Sequence, residues 1–293
     1  MNSKKISYLE CFKAHHWVKN LLIFIPPVMG HKLMETGILS KTVCAFFAFS
    51  FCASGIYLVN DLLDLPSDRQ HPQKKHRPLA SGDLSPSAAV FLIVLLLAAS
   101  FVISFYLPRK FMAILALYVL GTTLYSSVLK KVAILDVIVL AFFYVVRILA
   151  GSMATGVPSS NWLLAFAMFF FLSLAFAKRY SELSLMKRMD SEPTKRRDYT
   201  NADLENLGVL GASSGYLSVL VLALYVNGQE VTTLYRTPSL LWLICPVILY
   251  WISRVWLLTY RGQMRDDPIV FAIKDGVSYV VVILMALIMM LAI

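Results

Sequence analysis

The stretch "TVCAFFAFSFCASGIYLVNDLLDLPSD" (Thr42–Asp68) joins a long apolar run to three aspartates. A membrane-spanning helix takes about 20 mostly apolar residues, and residues 41–63 meet that requirement. Asp61, Asp64 and Asp68 follow at spacings of three and four, which places them on one face of a helix. Each carboxylate would cost about 3 kcal/mol if it faced lipid. The stretch therefore predicts a membrane helix that ends in a polar cavity.

Composition extends this prediction to the whole chain. Of its 293 residues, 58% are hydrophobic and 15% are charged, and the mean hydropathy is +0.69. A soluble domain is about 45–50% apolar and about 25% charged, so this composition excludes a soluble protein. The formal net charge is +10, but the cations lie in connecting segments and form no nucleic-acid-binding motif. The sequence predicts an integral membrane protein that is surrounded by membrane lipid and does not bind nucleic acid.

Nine stretches are long and apolar enough to be membrane-spanning helices. They are residues 20–36, 41–63, 86–106, 110–128, 134–155, 161–180, 207–227, 238–259 and 271–292. The first is the weakest, because Pro26 and Pro27 interrupt it. No linker or change of composition divides the chain. We therefore predict one all-α integral membrane domain, residues 1–293, with about nine transmembrane helices.

The distribution of Lys and Arg predicts the orientation of the chain in the membrane. Twenty of the 27 lie in the N-terminal segment and in alternate connections, and five lie in the opposite connections. The rich connections are residues 65–85, 129–133, 178–206 and 254–265. By the positive-inside rule, the N-terminus is cytoplasmic and the C-terminus is outside the cell membrane. The polar helix ends then gather at the cytoplasmic face, where we expect the active site.

The aspartates and the basic residues after them predict a site for a metal-bound diphosphate. Oxygen ligands without nearby Cys or paired His suit Mg²⁺, which binds one or two carboxylates and completes its shell with water and phosphates. Four cations follow closely: Arg69, Lys74, Lys75 and Arg77. They could neutralise the remaining phosphate charge. The alternative is a solvated loop whose cations only obey the positive-inside rule. Pro66 disfavours helical backbone at the residue before it, which argues against Asp68 reaching the same metal.

The segment "NDLLDLPSDRQHPQKKHRPLASG" (Asn60–Gly82) resembles the NDxxDxxxD signature of the UbiA superfamily of intramembrane prenyltransferases. Its longer form, DxxHPxKxxRPxASG, is similar to that of one branch, the decaprenyl-phosphate phosphoribosyltransferases. Further similarity lies in "HHWVKNLLIFIPP", "YSSVLKKVAILDVIVLAFFYVVRILAG" and "KRYSELSL". The resemblance covers the chain to about residue 205. It implies nine transmembrane helices around a central cavity, with Mg²⁺ bound by the motif residues Asp61, Asp64 and Asp68.

The loop after the sixth predicted span differs from that of the aromatic prenyltransferases in the superfamily. Those proteins carry a second aspartate-rich motif there, whereas residues 178–206 contain seven cations and no such pattern. A basic loop at this position suits two phosphate-bearing substrates better than one diphosphate and a neutral or carboxylated ring. We predict that Lys178 or Arg179 binds a phosphate, while Glu182 orients them or helps to bind metal. The alternative is a helix flank with an ion pair between Lys178 and Glu182.

Two charged residues within the fifth predicted span are further candidates. Asp136 and Arg147 are eleven residues apart, so on a helix they share a face and lie about 16 Å apart. A charge inside a membrane bundle is a functional candidate, and we predict a substrate-binding role for Asp136 and a catalytic role for Arg147 with Asp61 and Asp64. A structural buried pair is the alternative. The remaining predicted substrate-binding residues are Lys19, Asn60, Lys74, Arg77, Tyr125 and Lys130.

The resemblance and the basic loop together predict transfer of 5-phosphoribose from phosphoribosyl diphosphate to a polyprenyl phosphate, with Mg²⁺ as cofactor and diphosphate as leaving group. The product would feed arabinose-containing envelope polymers. The first alternative is aromatic prenyl transfer from an allylic polyprenyl diphosphate, as in quinone or haem side-chain synthesis. A further alternative, from another class, is a transporter of a phosphorylated metabolite.

Overall fold

A computed structural model of the chain describes residues 13–70, 74–188, 198–264 and 267–293, and every regular element in these ranges is a helix. The side chains of five residues within them lie outside the description: His15, Lys74, Gln229, Glu230 and Thr232. The chain forms two compact units. Unit 1 comprises Met1–Ser126 and Arg147–Pro158, and unit 2 comprises Ser127–Val146 and Ser159–Ile293. The prediction of a single domain stays a prediction.

Eight long helices lie within the described ranges, and each corresponds to an apolar run in the sequence. They are α1 (Ile38–Leu63), α2 (Pro86–Ser104), α3 (Arg109–Ser127), α4 (Leu135–Thr155), α5 (Asn161–Arg188), α6 (Leu204–Val226), α7 (Ile244–Tyr260) and α8 (Gly276–Ala292). Short α-helical turns lie at Ile25–Met29, Leu65–Asp68, Pro78–Ser81, Gln229–Leu234 and Pro268–Lys274. 3₁₀ helices lie at Ala14–Phe24, Lys74–His76, Leu129–Lys131, Asn201–Asp203 and Pro238–Leu243.

The prediction of an all-α membrane fold is confirmed, and the count of nine spans is approximate. In the part of the chain that the structure describes, seven helical stretches are long and apolar enough to cross a membrane. A further pair of helices, Pro268–Lys274 and α8, meets at an angle of 85°. The count is eight if this bent pair forms one span. Asp275 lies at the bend, where its side chain caps α8 by accepting a hydrogen bond from the Ser278 amide at 2.9 Å.

The first predicted span, residues 20–36, does not form a long α-helix. Instead, a 3₁₀ helix over Ala14–Phe24 leads into the short turn Ile25–Met29. Pro26 and Pro27 lack the amide hydrogens that a continuous α-helix would need at this point, which explains the break. The 3₁₀ segment is fixed to α1 by two hydrogen bonds, from Trp17 Nε1 to Ser54 Oγ and from Asn20 Nδ2 to Ser50 Oγ, each at 2.9 Å.

Packing within unit 1 fixes the end of α1 that carries the aspartates. Leu58 on α1 is buried against Leu79 and Leu84, which flank the turn Pro78–Ser81, and against α2 through Leu96. Because this apolar cluster holds the connection between α1 and α2 close to the end of α1, basic residues of the connection can reach the aspartates.

Glycines allow α6 to approach its neighbours closely within unit 2. A Cβ atom at Gly211 would lie 2.1 Å from the Trp256 ring on α7 and 2.7 Å from the Phe176 Cβ on α5. A Cβ atom at Gly215 would lie 2.6 Å from Ile252. Small residues at helix interfaces are the usual means of close packing in membranes. Across this interface Trp256 Nε1 donates a hydrogen bond to Ser173 Oγ at 2.9 Å.

We expect Gly211→Ala to destabilise the protein, because the new methyl group would displace the ring of Trp256 or move α6 away from α5. Overpacking of this kind costs about 1–3 kcal/mol. Thermal unfolding of the detergent-solubilised protein measures the effect. Gly276→Ala is the matched control, because a Cβ atom there meets nothing within 4 Å. Equal unfolding temperatures for the two variants would contradict this account of the α6 interface.

Candidate functional site

The aspartate motif begins on the last turn of α1. Asp61 is buried in that turn, and α1 ends at Leu63. Asp64 then begins the next helical turn, Leu65–Asp68, whose amides at Ser67 and Asp68 donate to the Asp64 carbonyl at 3.0 and 2.9 Å. Pro66 lies in the first turn of this helix. Backbone amides of a first turn have no acceptor within the helix, so the missing amide hydrogen of proline costs no hydrogen bond there. The proline therefore permits helical backbone on both sides of Asp64.

The structure brings Asp61 and Asp68 together through one guanidinium. Arg77 Nη1 donates to Asp61 Oδ1 at 3.0 Å and to Asp68 Oδ2 at 2.7 Å. Asp68 is only 2% exposed, whereas the Arg77 side chain is 36% exposed. Leu65 is helical despite the proline after it, and Asp68 comes close to the partner of Asp61; binding of both to the same metal stays a prediction. The two residues are seven apart, so the helical face that their spacing predicts survives the break at Asp64.

A second cation contacts the motif from the N-terminal segment. Lys13 Nζ lies 2.6 Å from Asp61 Oδ2. Sequence reasoning counted Lys13 only toward the positive-inside rule, and no local pattern marks it as a partner of Asp61. Asn60 is half-buried, and its carbonyl accepts the Asp64 amide at 2.9 Å. The side chain of Lys74 and residues 71–73, also part of the predicted basic run, lie outside the described residues.

The donor set of the motif fits a hard divalent cation. No three His, Cys, Asp or Glu side chains among the described residues form a ready-made metal site. Two convergent carboxylates, Asp61 and Asp68, nevertheless match what Mg²⁺ takes from a protein, the other ligands being water and phosphate oxygens. Both already bind one cationic group, the Arg77 guanidinium. A metal role for them, and for the half-buried Asp64, stays a prediction.

Arg147 belongs to a buried polar network in unit 1. Its Nε donates to Asn20 Oδ1 at 2.9 Å, and its Nη2 donates to the Tyr118 hydroxyl at 3.1 Å. The guanidinium also lies over the rings of Phe49 and Tyr118, 5.4 and 5.1 Å from their centroids. These neutral and aromatic groups stabilise a buried cation. Lys19, next to Asn20, is likewise buried. The catalytic role predicted for Arg147 stays a prediction.

Asp136 is the centre of a second charged cluster, in unit 2. It lies in the first turn of α4 and is completely buried, and its Oδ2 is 2.6 Å from Arg179 Nη2. Arg179 is 3% exposed and also pairs with Glu182, one turn further along α5. Tyr199 donates a hydrogen bond from its hydroxyl to Asp136 Oδ1 at 2.6 Å. Burial raises the pKa of Tyr199 above its usual value, and the hydrogen bond to Asp136 adds to the increase.

The structure gives Lys178 and Glu182 partners that the sequence did not indicate. The helix-flank alternative paired Lys178 with Glu182, but Lys178 Nζ lies 3.1 Å from Asp267 Oδ2, and Glu182 pairs with Arg179. Lys130 is half-buried in the 3₁₀ turn Leu129–Lys131, and Tyr125 of unit 1 is half-buried near the end of α3. Residues 189–197, which hold part of the predicted basic loop, lie outside the described ranges.

Sequence reasoning missed Tyr199 and Asp267. A signal for Tyr199 exists in the sequence: Thr200 and Asp203 form a capping box at the start of the helical segment that leads into α6. That pattern fixes Tyr199 immediately before a helix, although it does not reveal Asp136 as a partner. Asp267 caps the helix Pro268–Lys274 by accepting from the Ile269 amide at 3.2 Å, a position that the proline after it also marks.

Known proteins resemble this chain over nearly its whole length. The sequence model of the UbiA prenyltransferase family matches residues 23–274. The chain is 35% identical to the nodulation protein NoeC of Azorhizobium caulinodans, over 96% of this chain and 92% of that protein. It is 32% identical to the decaprenyl-phosphate phosphoribosyltransferase of Mycobacterium tuberculosis, over 92% of this chain and 88% of that protein.

The fold also has a counterpart among solved structures. A UbiA homologue from Archaeoglobus fulgidus, bound to GPP and Mg²⁺, superposes with a TM-score of 0.71. The match covers 96% of this chain and 99% of that one, at 17% sequence identity. At this level of identity the likeness shows the fold alone.

We expect Arg77→Gln to lower the stability of the protein, because Asp61 and Asp68 would lose the cation that both contact. The loss should be about 1 kcal/mol, since solvent screens a guanidinium that is more than a third exposed. Thermal unfolding at low ionic strength measures it. Lys75→Gln, which removes one charge from an exposed side chain of the same connection, is the control. If the two variants unfold at the same temperature, Arg77 does not hold the motif together.

Proposed function

The chain belongs to the UbiA prenyltransferase family, and from this membership we propose that it transfers 5-phosphoribose from phosphoribosyl diphosphate to a polyprenyl phosphate. UbiA-type membership makes it a multi-pass membrane enzyme of the prenyltransferase class. The full-length similarity to a decaprenyl-phosphate phosphoribosyltransferase supports the choice of donor and acceptor. The similarity to NoeC is of the same order, and that protein's name specifies no substrate.

The observation that carries the proposal is the meeting of Asp61 and Asp68 at one cation on the end of a membrane-spanning helix. Helix C-termini favour cations, so this is a suitable place for a metal that binds a diphosphate. Arg77 and Lys13, which contact the same carboxylates, supply positive charge for the remaining phosphate oxygens. The site thus combines carboxylates for a metal with cations for phosphate.

The second polar cluster supports additional phosphate-binding groups rather than a pocket for a neutral ring. In unit 2 the C-terminal half of α5 carries Lys178, Lys187 and Arg188, and the turn before α4 carries Lys130 and Lys131. The carboxylates in this region are engaged with cations: Asp136 and Glu182 with Arg179, and Asp267 with Lys178. The accessible ammonium groups therefore suit phosphate oxygens. Arg179, being buried, is better placed to fix these elements than to touch substrate.

The proposed reaction is a substitution at the ribose C1. An oxygen of the lipid phosphate forms a bond to C1, while the bond from C1 to the diphosphate oxygen breaks and diphosphate leaves with the electron pair. Magnesium, when bound by Asp61, Asp68 and Asp64, would supply positive charge to the leaving diphosphate. The nucleophile is already anionic, so the residues have no proton to remove. Their task is to hold two phosphorylated substrates in position and to offset the repulsion between them.

We further propose that this chemistry takes place at the cytoplasmic face of the cell membrane. The Lys- and Arg-rich connections include those that carry Arg77, Lys130 and Lys178. The positive-inside rule assigns these connections to the cytoplasm. Phosphoribosyl diphosphate is a soluble, highly charged metabolite, and its access from the cytoplasm fits this orientation.

The decisive test supplies purified protein in lipid nanodiscs with labelled phosphoribosyl diphosphate, a polyprenyl phosphate and Mg²⁺. We expect a phosphoribosyl lipid with the mass of the acceptor plus phosphoribose, and stoichiometric diphosphate. Asp61→Asn should slow its formation by about 100-fold or more, because an interaction with the charge that develops on the leaving group is lost. Asp83→Asn, an exposed acid in the same connection, should retain activity.

Two outcomes would contradict the proposal. Turnover of an allylic diphosphate with an aromatic acceptor, and no phosphoribosyl lipid, would show an aromatic prenyltransferase. Uptake of a phosphorylated metabolite into sealed vesicles that persists in Asp61→Asn without Mg²⁺, and without any chemical product, would show a transporter.

A further inference from the structure

The Tyr199 hydroxyl connects two parts of unit 2 that are far apart in sequence. It accepts a hydrogen bond from the Ile134 amide at 2.8 Å and donates one to Asp136 Oδ1 at 2.6 Å. The direction is fixed, because the amide can only donate and the ionised carboxylate can only accept. Ile134 has a φ of 66°, which is unusual for a β-branched residue and is held in place by this contact. Tyr199 therefore fixes the backbone that leads into α4.

The ring of Tyr199 makes a separate contact with the C-terminal half of α5. The Arg179 guanidinium lies 5.8 Å from the ring centroid, and the same guanidinium binds Asp136 and Glu182. Asp136 is completely buried, whereas the Glu182 side chain is 35% exposed. The phenol, the carboxylates and the guanidinium thus form one network that runs from the protein interior to its surface.

Backbone contacts hold Tyr199 itself in position. The Asp198 amide donates to the Lys131 carbonyl at 3.3 Å, so two consecutive residues contact the segment Leu129–Ile134 at two points. On the other side, the capping box of Thr200 and Asp203 attaches Tyr199 to the helical segment that leads into α6. The turn that carries Lys130 is therefore tied to the starts of both α4 and α6.

From these contacts we propose that Tyr199 is a positioning residue for diphosphate binding: its hydroxyl holds the Lys130 turn and, through Asp136 and Arg179, the C-terminal half of α5, which carries Lys178. This inference rests on the proposed function, because it takes Lys130 and Lys178 as contacts for a phosphorylated substrate. The ligand class is a diphosphate, whether it is part of the sugar donor or the released product.

The chemistry of the phenol suits a fixed support. Because burial and Asp136 raise its pKa, Tyr199 stays protonated and continues to donate at neutral and mildly alkaline pH. Removal of the hydroxyl takes one hydrogen-bond partner from the Ile134 amide and one from the buried Asp136 carboxylate, while the ring and its contact with Arg179 remain. The Lys130 turn then loses one of the attachments described above.

The test compares Tyr199→Phe with Tyr235→Phe. Tyr235 is as deeply buried in unit 2 as Tyr199, but it lies beyond the opposite end of α6. Tyr235→Phe therefore removes a buried phenol hydroxyl that does not belong to this network. Binding of inorganic diphosphate in the presence of Mg²⁺ is measured by calorimetry on nanodisc-embedded protein. We expect Tyr199→Phe to raise the dissociation constant about tenfold, on the scale of a lost support for a ligand-binding group, and Tyr235→Phe to leave it unchanged.

Steady-state kinetics separate positioning from a general loss of folded protein. A positioning role raises the KM for phosphoribosyl diphosphate in Tyr199→Phe while kcat stays within about twofold, since the reacting groups are intact. A fall in kcat with unchanged KM and unchanged diphosphate affinity would overturn the proposal. No diphosphate binding by the wild-type protein, or equal affinity in Tyr199→Phe and wild type, would also overturn it.

Two further features keep the inference testable. If Tyr199→Phe does not yield folded protein, hydrogen exchange of the wild-type segment 129–135 replaces it: diphosphate should slow exchange there, and unchanged exchange would overturn the proposal. Diphosphate binding is measured without an acceptor. Absence of a phosphoribosyl lipid therefore contradicts the proposed function, whereas unaltered diphosphate affinity in the variant contradicts only the role of Tyr199.

Discussion

The constraint on which the structure depends is that a charged side chain in a bundle of membrane helices must have partners. Each unit solves this with two carboxylates on one guanidinium: Asp61 and Asp68 on Arg77, and Asp136 and Glu182 on Arg179. Asp61 lies in the last turn of α1 and Asp68 in the short helix that follows, and the second cluster joins the start of α4 to the C-terminal half of α5. The proposed phosphate-binding regions are thus also places where charge is neutralised.

Burial distinguishes the two arrangements and suggests different roles for them. The Arg77 side chain is 36% exposed, so it can exchange contacts with a ligand without leaving a charge in an apolar interior. Arg179 is 3% exposed, and loss of either carboxylate would leave its charge poorly compensated. The first cluster therefore suits binding and release of charged substrates. The second suits a permanent support, to which Tyr199 adds a neutral hydrogen-bond donor.

Local sequence patterns predicted the spans other than the first, because apolar length depends on near neighbours. The spacing of Asp61 and Asp68 indicated a shared face correctly, whereas the rule that the residue before a proline avoids helical backbone did not hold at Leu65. The reason is that a new helical turn begins after Asp64, and Pro66 lies in its first turn, where a proline is tolerated. Partners distant in sequence, such as Lys13 for Asp61 and Asn20 for Arg147, leave no periodic signal and could not be found.

The proposed reaction explains why the clusters contain these residue types. Attack by a phosphate oxygen on a sugar carbon with departure of diphosphate transfers no proton, so a general base would gain nothing. The reaction does bring several negative charges close together, and the repulsion between them opposes the approach of the two substrates. Lysine and arginine can offset that repulsion only if they are held still, because a mobile ammonium in water is largely screened. In the proposed mechanism a support such as Tyr199 therefore contributes to substrate binding without touching substrate, because it holds the cations in place.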